Sequence, residues 1–358
     1  MHRIAFIILL ITGFNFHYSN AQTDTSSIKH LEITGYLEPY YSYDFSNPDN
    51  HYKPTFTYAY NRHNEVNLNL GFIKASYTSS KIRANLALMT GTYANANLGA
   101  EPGVLKNIYE ANGGIRLSAS KNIWVDAGIM PSHIGFESAV GKDCWNLTRS
   151  ILADNSPYFE SGVKITYTSE NNNLLLSALI MNGWQRIHRV DGNQTPSFGH
   201  QIVYKPNARL TLNSSSFIGS DTPDSVRLMR YFHNFYGLFQ PTDKFGITAG
   251  FDIGAQQKQK GSSDLNIWYS PVLILRLSPS EKIKIAGRLE YYSDENGVII
   301  ALDNSQGFKT FSYSINLDLN ITPNAMWRIE GRGFQSEDNI FSGKNYNYQV
   351  TSSLAISF

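Results

Sequence analysis

The chain has a single cysteine, no excess of either charge and, after its first sixteen residues, no apolar run as long or as greasy as the first. Each shortage excludes something. Cys144 has no partner for an intramolecular disulfide and lies too far from the start to carry a lipid anchor, so its thiol reads as incidental. With 30 basic against 29 acidic side chains the formal net charge is +1, without the basic surplus that a nucleic-acid partner demands. A membrane-crossing helix needs about 20 apolar residues, so the mature chain has none. Helical periodicity is nearly missing as well. The histidines His30, His51, His63, His133, His188, His200 and His233 are scattered, and none belongs to a closely spaced metal or nucleophile motif. His133 and Glu137 stand four apart, a useful pair only on a helix, and otherwise read as loop-surface polar groups. No metal, cofactor or enzymatic activity is expected.

What is present begins with Met1-His2-Arg3, an apolar stretch from Ile4 to Phe16 and the small residues Ser19-Asn20-Ala21, which together read as a signal peptide over 1–21. Removing it removes Arg3 and leaves the mature chain, 22–358, electrically balanced. Composition is 42% hydrophobic and 13% aromatic with only 16% charged residues, a mixture suited to a barrel with aromatic girdles. The other end is more telling. Tyr346, Tyr348, Val350, Leu354, Ile356 and Phe358 alternate with Asn347, Gln349, Thr351, Ser353 and Ser357, giving a last strand with one greasy face and one wet face.

The same period of two recurs along the chain. It predicts strands over 31–45, 65–79, 81–93, 107–119, 121–130, 158–168, 173–184, 198–206, 208–218, 229–239, 243–257, 264–278, 281–293, 307–320, 323–335 and 344–358. Facing is ambiguous in 173–184, 198–206 and 229–239, and 65–79 changes phase near Ile73, as a bulge would make it do. Turn-forming residues such as Pro206-Asn207, Pro241-Thr242-Asp243 and Thr322-Pro323-Asn324 join strands tightly, and long polar stretches alternate with these turns. The expectation is an all-β, transmembrane, antiparallel up-and-down barrel of about 16 strands with short periplasmic turns and long extracellular loops. At that size a barrel encloses an aqueous channel. Closure then requires the last strand to meet the first, with Phe358 at the periplasmic rim near Leu31 and Ile33. A secreted soluble propeller or sandwich is the competing architecture, but no repeat of blade length is present.

The opening strand, Ile33-Thr34-Gly35-Tyr36-Leu37-Glu38-Pro39-Tyr40-Tyr41-Ser42-Tyr43-Asp44-Phe45 followed by Asn47-Pro48, resembles that of the OmpL-like putative β-barrel porin-2 family of bacterial outer membranes. So do Gly128-Ile129-Met130-Pro131 leading into Ile134-Gly135-Phe136-Glu137, Thr148-Arg149-Ser150 before Tyr158 to Val163, and Asn182-Gly183-Trp184. The resemblance spans essentially all of the mature chain. It implies a porin-like channel and supplies no catalytic residues.

Function in such a barrel rests on groups that face the lumen. The facing pattern selects Lys284, Arg288, Glu290, Asp318, Arg328, Glu330 and Arg332 as pore-lining. They either form a charged stripe that filters ions or satisfy one another across neighbouring strands. The longest connection, 131–157, mixes Ile134, Phe136, Leu147, Ile151 and Leu152 with Glu137, Lys142, Asp143, Trp145, Arg149 and Asp154. Such a loop packs, either folding into the mouth as a constriction or capping neighbouring loops, with a short helix expected near Leu147 to Leu152. Phe358, Ile356 and Leu354 resemble the terminal signal read by the barrel-assembly machinery. The reading is therefore a passive outer-membrane channel for small hydrophilic solutes or ions, surrounded by outer-membrane lipid and open to homo-oligomerisation. A surface adhesin or receptor built on loops such as 47–63, with Tyr52, Phe56, Tyr58 and Tyr60, is the alternative; an outer-membrane barrel enzyme ranks below both.

Overall fold

Alternating side chains leave each strand with one face that avoids water and one that seeks it, and closing the sheet satisfies both faces and every edge at once. In the computed structural model, which describes residues 30–302 and 307–358, sixteen antiparallel strands form such a closed barrel. They are β1 His30–Asp44, β2 Val66–Thr78, β3 Ile82–Thr90, β4 Ile108–Arg116, β5 Asn122–Pro131, β6 Phe159–Thr168, β7 Leu174–Met181 and β8 Ser197–Asn207. The second half comprises β9 Leu210–Gly219, β10 Arg230–Thr242, β11 Phe245–Gln257, β12 Leu265–Leu277, β13 Ile283–Asp294, β14 Phe308–Thr322, β15 Ala325–Ser336 and β16 Tyr346–Ser357. Each strand pairs with its sequence neighbour, and β1 pairs with β16. Residues 1–21, read as a signal peptide, lie outside the described part.

The outer wall is aliphatic and aromatic. Leu86, Ile180, Leu273, Leu289, Ile315 and Val350 all project from it exposed. Inward positions carry Asn85, Asn112, Asn213, Asn234, Asp252, Asn316 and Gln349, the wet face that the alternation foretold.

Two details of register differ from expectation. The phase change of β2 falls at Asn69 rather than near Ile73, because Glu38 pairs with Leu70 and Pro39 with Leu68, leaving Asn69 as the extra residue of a bulge. Asn69 and Leu70 consequently both point inward and are buried. At the seam, Phe358 exchanges backbone hydrogen bonds with Gly35 at 2.7 and 3.0 Å, beyond Ile33, so residues 30–34 run on past the end of β16 beside β2 alone. The Phe358 ring lies against Gly35, where a β-carbon would come within 2.3 Å of it.

The connections 79–81, 117–121, 169–173, 208–209, 243–244, 278–282 and 323–324 gather at the end that holds His30 and Phe358. Those at 45–65, 91–107, 132–158, 182–196, 220–229, 258–264 and 337–345, with the described residues 295–302 and 307, gather at the other. One of these latter segments runs the length of the barrel's interior. Residues 132–158 leave β5 and return to β6, whose ends Pro131 and Phe159 are paired neighbours, and in between they descend the bore.

Candidate functional site

The inserted segment reaches the far end of the barrel. Val140, Lys142 and Asp143 at its tip share a pocket with Gly35, Asn324, Ser357 and Phe358 at the turn-side rim, and the amide of Lys142 donates to the Tyr36 hydroxyl at 3.3 Å. Lys142 and Asp143 emerge there with side chains 39% and 53% exposed, so the tip meets water on that side.

Arg149 holds the segment together. Its guanidinium donates to the carbonyls of Leu147 at 2.6 Å, Ser138 at 2.7 Å and Ala139 at 3.2 Å, drawing both limbs around one buried cation. The expected helix is there but shorter and later: a single turn, Ile151–Asp154, is capped by Ser150, which accepts from the Ala153 amide. Glu137 accepts from the Ser150 amide at 3.0 Å and from its hydroxyl, and burial raises the Glu137 carboxyl above its ordinary range. The Asp154 carboxyl is pushed by burial up to about 7 and accepts from the Tyr58 amide at 3.2 Å. The Cys144 thiol is buried in the same fold, donating to the Ser138 carbonyl at 3.3 Å, and burial takes it up to about 11. His133 and Glu137 are not surface groups and do not pair. The His133 ring sits 2.7 Å from Glu160 instead, with both buried, because the segment turns away from the wall before a helix could align the first two.

The structure brings six of the seven expected wall residues together, under this segment. Arg328 binds Asp318 at 2.7 Å and donates to the carbonyls of Gly141 at 2.6 Å and Cys144 at 2.9 Å. Arg288 donates to the Thr148 carbonyl at 2.7 Å and meets Glu290 and Glu330, each at 3.1 Å, with Glu137 3.8 Å away. Arg332 pairs with Glu290 at 2.7 Å and donates to the Arg149 carbonyl at 2.9 Å. The carboxylates complete the clasp: Glu330 accepts from the Thr148 amide and Glu290 from the Ile151 amide, each at 2.6 Å. All six are buried. Each guanidinium finds both a carboxylate and a carbonyl, which is what lets an ionised group remain charged away from water. Lys284 stays half-buried outside this network, beside Lys282 and Lys142 at the turn-side rim.

Space for the segment comes from glycine. Gly246, Gly250 and Gly254 all face inward on β11. The ring of Trp145 occupies the place a β-carbon of Gly246 would need, and Phe136 that of Gly250. Trp145 is also covered by the Arg276 guanidinium, 4.3 Å from its ring centre. Toward the mouth, Phe56, Ile134, Ile151, Phe217, Phe232, Trp268, Phe308, Phe334 and Phe341 build an apolar cluster inside the bore. Phe56 and Tyr60 of the 45–65 loop are therefore turned into the mouth rather than displayed outside it.

The opposite wall carries charges that the sequence reading did not single out. Lys74 pairs with Glu110 at 2.5 Å and Arg83 with Asp126 at 2.6 Å, and their cationic partners keep 26% and 33% of their side-chain surface, so water reaches them. Lys164, across from Asp126 on β6, is half-exposed too. The signal was the same alternation that marked the C-terminal strands.

A closed antiparallel barrel of sixteen strands, apolar outside, polar within and with a segment folded into its bore, defines the porin class of bacterial outer-membrane proteins. The chain belongs to one family of that class, described as putative beta-barrel porin-2, OmpL-like, whose family model matches residues 30–358. Among solved structures it is similar to an anion-selective porin from Comamonas acidovorans, with TM-score 0.60 and 8% identity over 92% of this chain and 100% of that one. It is similar to the same degree to the outer membrane channel DcaP of Acinetobacter baumannii, with TM-score 0.60 and 11% identity over 92% and 97%. A third is the trimer form of OmpT, an outer membrane protein of Vibrio cholerae, with TM-score 0.59 and 9% identity over 92% and 99%. No curated protein matches the sequence.

Proposed function

We propose that this outer-membrane channel passes small hydrophilic solutes or ions by diffusion along the β2–β6 wall, with residues 132–158 as its constriction. The observation that carries the reading is the contrast between the two sides of the lumen. Charges on β13–β15 are consumed by the inserted segment, whereas Lys74, Arg83 and Lys164 remain open to water beside Glu110 and Asp126. With Arg116 of β4 on the same inward face, four cations stand against these two carboxylates, a cationic lean that supports a weak preference for anions. Lys284, Arg288, Glu290, Asp318, Arg328, Glu330 and Arg332 act in this reading by fastening the constriction. The mature barrel starts after Ala21, is delivered by the signal peptide to the assembly machinery, and sits in outer-membrane lipid.

Planar-bilayer recording of the refolded protein under salt gradients, with candidate solutes added, tests the proposal. Discrete steps with a small anion-directed reversal potential are expected. A silent barrel would overturn it in favour of a surface-binding role for the loops.

A further inference from the structure

Among the described residues, the outward positions of the wall are apolar or small with few exceptions, and the exceptions cluster. His200 on β8, Ser214 and Ser216 on β9 and His233 on β10 all project outward. His200, Ser216 and His233 stand in one row across three adjacent strands, since Ser216 pairs with both histidines. The Ser216 hydroxyl lies 2.6 Å from His200 Nδ1 and the Ser214 hydroxyl 2.9 Å from His233 Nε2, while the two rings lean together to 5.5 Å between centres. Phe198, Ile218 and Tyr231 flank the patch on one side and Ile202 and Phe235 on the other, all exposed. The patch therefore lies within the apolar band, not at its border. Tyrosines aside, Lys309, at the end of β14 and paired with Glu295, is the one other ionisable side chain at an outward strand position among the described residues.

Each imidazole uses one nitrogen on a serine. The others, His200 Nε2 and His233 Nδ1, have no hydrogen-bond partner among the described residues. A polar group turned unpaired into hydrocarbon is costly, so this surface calls for a partner that can donate and accept there. Lipid tails cannot do so.

We propose that this patch is where two copies of the chain meet in the membrane, across a two-fold axis along the membrane normal. Such an axis passing beside β9 sets β8 of one copy opposite β10 of the other, so His200 faces the partner copy's His233 and each unpaired nitrogen meets another. A neutral imidazole has one donor and one acceptor, which makes the row self-complementary. A three-fold arrangement would instead press the patch against a different part of the neighbouring wall.

The test uses the full mature barrel in native outer membranes with Cys144→Ser as background. Ser216→Cys, close to the axis, should yield a disulfide-linked dimer on mild oxidation, whereas Ile315→Cys, five strands away on β14, should remain monomeric. Equal cross-linking of both, or of Ile315→Cys alone, overturns the proposal. Independently, His200→Leu combined with His233→Leu should raise the dimer dissociation constant in mild detergent about tenfold by native mass spectrometry. Heat-modifiable gel migration checks that the barrel still folds. An unchanged dimer population in the folded double variant overturns the proposal, and if that variant does not fold the cross-linking decides. Conductance per barrel plays no part, so a failed channel assay leaves this test intact.

Discussion

Arg328 donates to the carbonyl of Gly141 at 2.6 Å, joining two residues 187 positions apart in the chain. The same guanidinium neutralises Asp318 on the adjoining strand. It is both a structural ion-pair partner and the bolt that holds the inserted segment against the wall.

Arg328→Ala strands Asp318 and frees the carbonyls of Gly141 and Cys144, and breaking a buried pair in this way costs roughly 3–5 kcal/mol. The expected outcome in planar bilayers is more frequent and larger openings with an unchanged reversal potential. A shifted reversal potential without new openings would mean that Arg328 filters ions instead.

Deleting 138–152 removes the tip, the Arg149 staple and the contacts to Arg288, Arg328 and Arg332. Single-channel conductance should rise severalfold, because the bore of a barrel this size is otherwise wide enough for a water-filled pore. Conductance at the wild-type level would remove the constriction role.

Gly246→Val places a side chain where Trp145 now lies, an overpacking that typically costs about 1–3 kcal/mol. With Trp145 unseated, Arg149 should become accessible, so trypsin should cut after it in the folded barrel faster than in the wild type. Equal cutting rates would show that the glycine row does not set the fit.

The Asp154 carboxyl sits at about 7 in the folded barrel, above its ordinary value. A carboxyl raised by folding stabilises fully below the unfolded value near 4 and loses that contribution as pH rises through 7. Glu137, also raised by burial, acts in the same direction. The inserted segment should therefore be held most firmly under mild acid, and open probability should climb between pH 5 and 8, by at most about tenfold per unit for a single proton. Lys53, lowered by burial to about 8, stays charged over most of that window and works against the trend only above it. Asp154→Asn should flatten the profile, and an equally steep profile in that variant would exonerate Asp154.

Removing Phe358 takes away two backbone hydrogen bonds to Gly35 and the ring laid across it. The yield of heat-modifiable, folded barrel should fall severalfold while the barrels that form conduct normally. Normal yield would count against a role in closure.

The wall was legible because a strand with one wet face writes its own period, and all sixteen strands overlap the segments read from it. The fastening of Arg288, Arg328 and Arg332 was not, since each also binds main-chain carbonyls of a distant loop that no side-chain pattern announces. Gly246, Gly250 and Gly254 were the available clue that something fills the bore. The ambiguous facing of 198–206 and 229–239 had a physical cause. Those strands carry His200 and His233 on the greasy side, where alternation forbids them, so the blurred pattern marked a surface rather than a poor strand.

The inserted segment hangs from β5 and β6 yet is clasped chiefly by β13, β14, β15 and β1. Its fasteners are thus supplied by three of the last strands of the chain and by the first, which lie on either side of the seam between β16 and β1. Because both stems leave from neighbouring positions at one rim, the segment folds in like a flap, with nothing to thread. The closed wall and the seated flap are thus held by one set of contacts, complete only where the first and last strands also meet.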